Sequence, residues 1–269
     1  MMSEYKNTKT ILILAKSRKY GGTCLAGKDI ETRQWVRPVL DVPKKGFTQE
    51  EFTKVRIKFE DFALEDIITM SFIEPAPLNF QPENELVNLN VPWKIHYEAR
   101  ASSSPLDDVD DPDAQRHNDS IKMSPKYFID KNKNHLLEST SGSFLKYAVP
   151  SSYFVDNPAH NSLQLIQLTG ENRPMIFYKY RTYGKTWQPR IRFYYNNQEH
   201  DLPITDLNYP KLETKPYDCL EGIKGRDETE CVVALPGKCF VVISFGSEYK
   251  GSHFKLAATV IIKEAMETP

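Results

Sequence analysis

The stretch that decides the fold runs from Phe177 to Thr205 and reads FYKYRTYGKTWQPRIRFYYNNQEHDLPIT. From Arg190 to Tyr195 every second side chain shares one face of a β-strand, so one face packs and the other meets solvent or a ligand. Asn196 and Asn197 follow, and asparagine tolerates the positive φ angles of a tight turn. The pattern predicts a hairpin in which His200–Thr205 runs back along the first strand.

Short apolar and β-branched runs of the same kind occur on both sides of this hairpin. Thr48 followed by Glu51 is a capping-box signature, which predicts a short helix from Gln49 to about Arg56. About five core strands in each half predict an all-β protein of two small barrels with a few short helices. The other predicted strands are Thr10–Ala15, Gly22–Ala26, Gln34–Val39, Asp66–Ile73, Leu163–Thr169, Pro174–Arg181, Cys231–Leu235, Cys239–Phe245 and Phe254–Lys263.

The strand pattern weakens in the middle of the chain. Serines at 102–104 precede aspartates at 107, 108, 110, 111 and 113, and Ser124 with Pro125 predicts the start of a short helix. We interpret residues 99–161 as an irregular connector with an acidic loop. It joins a first barrel at residues 1–98 to a second barrel at residues 162–269.

Composition limits the classes of function. The 269 residues include 35 Lys or Arg and 36 Asp or Glu, a formal net charge of −1, so a polyanion site requires local separation of charge. The four cysteines contain no C-x-x-C pair and lack zinc-ribbon spacing, which predicts core cysteines in a reduced, cytoplasmic protein. No apolar run approaches the roughly 20 residues of a membrane span. We therefore expect no membrane anchor.

The segment from Phe177 to Tyr195 has eight aromatic residues, five Lys or Arg and no acidic residue. Basic groups attract phosphates, and exposed rings offer stacking worth roughly 1–3 kcal/mol per base, so the segment predicts a nucleic-acid surface. Ordinary barrel core is the alternative, because aromatic residues favour strands. The candidate binding residues here are Lys179, Arg181, Tyr183, Lys185, Trp187, Arg190, Arg192 and Tyr194.

Further candidates lie in the first half. Lys16, Arg18 and Lys19 follow the first strand and could form a loop that contacts phosphate, since loops at barrel rims commonly hold ligands. A solvated turn is the alternative. Arg37, beside Trp35, is a candidate on a half-buried strand.

Motifs that resemble catalytic sites fail on chemistry. Gly22–Asp29 reads GTCLAGKD and nearly matches a P-loop, but Asp29 stands where a hydroxyl residue should bind magnesium. The aspartates at 107–113 lack the glycine and terminal glutamate of an EF-hand. His117–Asp119 could suggest a nuclease, although such residues are common in turns. We predict no catalytic residue, no metal and no cofactor.

Several strings are spaced along nearly the whole chain. They are KTILILAKSRK at Lys9–Lys19, CLAGKDI at Cys24–Ile30, WVRPV at Trp35–Val39, EPAPLNFQPEN at Glu74–Asn84, RIRFYYNNQEHDLPITD at Arg190–Asp206 and VVISFGSEYKGSHFKLAATVI at Val241–Ile261. Together they resemble the dual OB-containing domain of prokaryotes, a family described as two consecutive oligonucleotide-binding-type barrels. The resemblance implies two OB-like barrels and a role in nucleic-acid or nucleotide binding, often proposed for bacterial defence and conflict systems. It implies no catalytic residue.

The leading hypothesis is a non-catalytic protein that binds single-stranded or otherwise exposed nucleic acid. One alternative is a sensor that recognises a nucleotide or other small ligand and signals to an effector protein. A second alternative is a metal-dependent nuclease that uses the aspartates. The sequence leaves the oligomeric state and the choice between DNA and RNA open.

Overall fold

The computed structural model describes residues 7–19, 22–41, 46–58, 61–96, 125–130, 148–157, 159–221, 223 and 225–265. The aspartates at 107–113 and the residues His117–Asp119 lie outside these ranges, so their predictions stay untested. The all-β class is confirmed, whereas the predicted domain boundaries stay a prediction. None of the helices in the described ranges is long and apolar enough to cross a membrane.

In its described ranges, the N-terminal half contains six strands and one α-helix: β1 Asn7–Lys19, β2 Gly22–Asp29, β3 Trp35–Val39, α1 Gln49–Lys54, β4 Ile67–Pro75, β5 Asn84–Val87 and β6 Lys94–His96. Five of the strands follow the order β1-β2-β3-β5-β4, and β4 pairs back with β1. β3 and β5 are parallel, and the other neighbours are antiparallel. The strands therefore close into a five-stranded barrel of the OB type.

β1 closes this barrel because it is long enough to pair with two neighbours. Asn7–Leu12 pairs with β4, and Ile11–Lys19 pairs with β2 across a bulge between Ile13 and Ala15. A Cβ atom at Gly27 would lie 2.1 Å from the carbonyl oxygen of Leu12, so only glycine permits the close approach of β2. The barrel interior is filled by fully buried side chains such as Ile11 and Ile13.

The capping box predicted at Thr48 is present at the start of α1. The backbone N–H of Thr48 donates a hydrogen bond of 2.9 Å to the carboxylate of Glu51. The helix ends at Lys54, about where the sequence predicts.

The C-terminal half contains β7 Ala148–Pro150, α2 Tyr153–Asp156, β8 Leu163–Leu168, β9 Met175–Arg181, β10 Thr186–Tyr195, β11 Gln198–Pro203, β12 Glu230–Ala234, β13 Pro236–Phe245 and β14 Ser252–Ala265. They form two four-stranded sheets with the orders β11-β10-β9-β12 and β7-β14-β13-β8. Buried residues of both sheets, such as Ile191 and Val241, form one core, and a parallel bridge joins Ile204 to Ala257. This half is an open barrel.

The predicted hairpin is confirmed. Tyr195 pairs with Gln198, which leaves a two-residue loop, and Asn196 and Asn197 have φ angles of 49° and 59°. A type I′ turn requires positive φ at both central residues, and its twist matches that of the flanking antiparallel strands. The first strand begins earlier than predicted, at Thr186, and includes Trp187.

The two halves share an apolar interface. Leu12 and Leu14 of β1 pack in one buried cluster with Leu165 of β8 and Val242 of β13. Asp130 fastens the edge of this cluster, because its carboxylate forms an ion pair with Lys28 and accepts hydrogen bonds from the indole of Trp35 and the amide of Leu165. Buried apolar surface and a satisfied polar group thus hold the halves together.

The cysteines differ from the sequence-based expectation. Cys24 and Cys239 are free and buried, as core cysteines should be. Cys219 and Cys231, however, form a disulfide with their Cα atoms 5.4 Å apart. The expectation of fully reduced cysteines is therefore wrong for this pair in the structure.

Candidate functional site

A cleft with a volume of about 1170 Å³ lies between the two halves. Its walls come from the end of β1, from the β9–β10 hairpin, from the end of β13 and from the start of β14. The walls combine segments from distant parts of the chain, so the cleft depends on how the halves pack.

Positive charge dominates this cleft. Asp201 is the one acidic residue among the described lining residues, against seven basic ones. Three of the seven are neutralised, since Arg190 Nε lies 2.5 Å from Asp201, Lys179 Nζ lies 3.0 Å from Glu230, and Arg37 pairs with Glu83. Within the described part of the chain, the lining cations with no carboxylate partner are Arg18, Arg181, Lys211 and Lys255.

Arg181 keeps its charge exposed beside Arg190. Its Nε donates a 3.0 Å hydrogen bond to the amide oxygen of Gln188. Burial, followed by repulsion from Arg190, lowers the pKa of the Arg181 guanidinium, which nevertheless remains charged at neutral pH. A phosphate approaching this pair would relieve that repulsion.

Lys255 is in a different environment from the other unpaired cations. It lies in the cleft wall and is only 4% exposed. Burial lowers the pKa of the Lys255 ammonium to about 8, and no charged neighbour contributes to that shift. A buried ammonium without a partner is energetically unfavourable.

Exposed aromatic rings accompany the charge. Tyr183, at the tip of the β9–β10 hairpin, is 95% exposed, and Tyr249 is 57% exposed. Phe254 is 40% exposed, and its ring centroid lies 6.4 Å from that of Tyr249. Rings held at the surface beside cations provide platforms on which flat ligands can stack.

Arg192 and Trp187, which the sequence proposes as contacts, are buried. Two guanidinium nitrogens of Arg192 donate to Glu230 at 2.8 and 3.2 Å, and the guanidinium carbon lies 4.3 Å from the ring centroid of Phe177. Trp187 packs in a small core with Tyr178 and Cys231. Neither side chain is available to a ligand in this structure.

Glu230 organises this buried network. Burial alone would raise the pKa of its carboxyl, but hydrogen bonds from Arg192, the Arg226 amide and Lys179 outweigh burial and lower that pKa to about 2. The carboxylate is therefore charged at neutral pH, and it holds β9, β10 and β12 together.

Arg37 also serves the fold. Its Nε lies 3.0 Å from Glu83, and Nη2 donates to the hydroxyls of Ser162 at 2.8 Å and Ser244 at 3.2 Å. These partners belong to both halves of the chain. Arg37 therefore links the two halves at the cleft wall, and its guanidinium donors bind these residues of the protein itself.

The remaining sequence-predicted residues lie at or outside the edges of the cleft. Lys16 donates to the carbonyl of Phe62 at 2.7 Å and lines a second, smaller cavity. Tyr194 donates to Glu199 at 3.0 Å, and Lys185 is exposed in the hairpin turn outside the cleft lining. Lys19 is the last residue of β1. The structure thus brings together Arg18, Arg37, Lys179, Arg181, Tyr183 and Arg190 in the cleft lining. It does not add Lys16, Lys185 or Tyr194 to them.

The comparison with protein families agrees with the architecture. The family model described as "Dual OB-containing domain" matches residues 9–260. The chain belongs to this family. No curated protein sequence matches it.

Two solved structures resemble the dual OB protein weakly. A crystal structure of the p204 HINb domain has a TM-score of 0.32 and 8% identity, with 98% of this chain and 100% of that chain covered. A structure of the Ifi202 HINa domain in complex with 20bp dsDNA has a TM-score of 0.33 and 9% identity, with 97% of each chain covered. These scores are too low to support an argument about the dual OB protein.

Sequence reasoning missed two unpaired cations of the cleft in this dual OB protein, Lys211 and Lys255, and two of its exposed rings, Tyr249 and Phe254. The last three lie within the Val241–Ile261 string that carries the family resemblance. Tyr249 and Lys250 precede Gly251, which has a φ of 76°, so a turn there was readable from the sequence. The proximity of this turn to the β9–β10 hairpin could not be predicted from the sequence.

Proposed function

We propose that this dual OB protein binds single-stranded or otherwise unpaired nucleic acid in the cleft between its halves, without chemistry of its own. The observation that carries the proposal is the coexistence, in one cleft, of cations without carboxylate partners and aromatic rings exposed to solvent. The cations supply affinity for phosphates, and the rings supply stacking for bases.

Single strands are favoured over duplex because of the rings. The faces of Tyr183 and Tyr249 can stack only on a base that has lost a neighbour, whereas duplex bases are already stacked. Proteins that bind single strands combine a basic groove with such aromatic platforms. The cleft therefore favours a strand whose bases are free.

Fluorescence anisotropy tests this proposal with labelled single-stranded and duplex oligonucleotides at two salt concentrations. The informative variant is Arg181→Glu with Lys211→Glu, because both side chains are exposed and line the cleft. We expect at least about tenfold weaker binding at low salt, since two phosphate contacts become repulsive.

The matched control is Arg56→Glu with Lys94→Glu. These two exposed cations lie in the first half and do not line the cleft, but they change the net charge equally. Binding should be unchanged. If the folded cleft variant binds as tightly as the control, the cleft is not the interface.

A nucleotide sensor is the second candidate, favoured by the buried Lys255 in a cleft whose volume is close to that of ligand pockets, about 300–1,000 Å³. Such a protein would gain thermal stability from a mononucleotide and none from an oligonucleotide. A role in bacterial defence, an effector partner and a cytoplasmic location stay predictions.

A further inference from the structure

Lys255 stands apart from the other buried cations of the protein. Among the described residues, four lysine or arginine side chains are buried. Lys28 pairs with Asp130, Arg37 with Glu83, and Arg192 with Glu230. Lys255, at 4% exposure, has no hydrogen-bond or ion-pair partner for its ammonium among the described residues.

A buried cation without a counter-charge destabilises the folded chain, and hydrophobic residues commonly replace such groups without loss of fold. The local backbone explains how the charge is held there. Lys255 is opposite Phe245 in the β13–β14 ladder, and its neighbour Phe254 accepts a 2.8 Å hydrogen bond at its carbonyl from the amide of Gly246. The strand therefore holds Lys255 in place without help from an acid.

We propose that Lys255 is a subsite for a phosphomonoester, the terminal phosphate of a nucleic-acid strand or of a mononucleotide. This inference rests on the proposed function, because it assigns one part of the ligand to one point of the same cleft. The ammonium supplies the counter-charge that the phosphate lacks, and the phosphate supplies the partner that Lys255 lacks in the free protein.

A terminal phosphate fits this position better than an internal one. Only a small part of the Lys255 side chain is accessible, and an internal phosphodiester carries a sugar on both sides. A monoester has one free side and a charge of about −1.5 to −2 at neutral pH, which compensates a poorly solvated ammonium more fully than a single negative charge.

An aromatic pair in the same cleft offers a stacking surface for the rest of the terminal nucleotide. Tyr249 and Phe254 line the same cleft, and both rings are partly exposed. A base attached to the bound phosphate can stack on one of these rings. An acidic peptide would supply a charge for Lys255 but no flat base for the rings.

The test measures anisotropy of three labelled single strands of one sequence, carrying a 5′-phosphate, a 3′-phosphate or no terminal phosphate. We expect the wild-type protein to bind one of the phosphorylated strands about tenfold more tightly than the unphosphorylated strand. Lys255→Met should abolish that preference and raise the melting temperature. Lys94→Met, an exposed lysine outside the cleft, should keep the preference.

The outcomes separate this inference from the proposed function. If the wild-type protein binds all three strands equally, the subsite proposal is overturned and the strand-binding proposal stands. This outcome is measured on the wild-type protein alone. Binding of a 5′-mononucleotide, lost in Lys255→Met, without binding of any strand supports the subsite and overturns strand binding. A folded Lys255→Met or Lys255→Gln protein that keeps the wild-type preference overturns the subsite.

Discussion

The arginines of β10 and the cations of the cleft have the same charge but different surroundings. Arg190 and Arg192 are held by Asp201 and Glu230 from other strands of the same sheet. Arg181, in the same hairpin, has no carboxylate partner among the described residues. The comparison teaches that a basic strand can stabilise a sheet, while the cations at its rim remain available to a polyanion.

The difference between paired and unpaired cations arises from strand pairing. Arg192 is opposite Asp201 in the β10–β11 ladder, and Glu230 of β12 lies across β9 from it. Acidic residues on β11 and β12 thus neutralise the middle of β10. The tip of the hairpin extends beyond them.

The largest expected effect comes from breaking the buried pair. Arg192→Met should lower the free energy of unfolding by about 3–5 kcal/mol, because Glu230 stays buried without its main partner. Urea denaturation measures this loss. Nucleic-acid affinity of the folded variant should be unchanged, and a loss of affinity with unchanged stability would show that Arg192 contacts the ligand.

A smaller effect appears in acid. The pKa of Glu230 is about 2 in the folded protein, below its ordinary value of 4.5, so the unfolded chain binds the proton first as the pH falls. The stability that Glu230 contributes is complete above about pH 4.5 and is lost as the pH falls towards 2. Glu230→Gln should flatten the dependence of unfolding free energy on pH in that window, and an unchanged slope would contradict the assignment.

The aromatic platform should contribute less than the buried pair. Tyr249→Ala should weaken single-strand binding by about 1–3 kcal/mol, the usual value of one stacked base. Tyr217 is the matched control, since it is 99% exposed and lies outside the cleft lining. Anisotropy that shows equal losses for both alanine variants would argue against stacking in the cleft.

The smallest expected effect concerns salt. Replacing Arg181 by Gln should reduce the slope of log affinity against log salt by about 0.7, the contribution of one phosphate contact to single-strand binding. Arg192→Gln should leave this slope unchanged when it is measured on folded protein. Titrations at three or more salt concentrations measure both slopes.

Much of the fold could be predicted from local patterns. Alternation from Arg190 to Tyr195 predicted a strand, Asn196 and Asn197 predicted its turn, and the spaced strings predicted two barrels. Less of the site was predictable. Basic and aromatic residues in Phe177–Tyr195 predicted a segment that does line the cleft. The same pattern predicted that Trp187 and Arg192 are exposed, whereas both are buried in the structure.

The sequence by itself determined where strands and turns form, because side-chain alternation and the φ preferences of asparagine and glycine act over a few residues. Only the tertiary structure decided which cations have partners. Lys211 and Lys255 reach the cleft from segments outside the β9–β10 hairpin, and Arg37 contacts Ser244 across 207 positions of the chain. Charge neutralisation depends on distances of a few ångströms in space, and strand pairing within each half together with packing between the halves sets those distances.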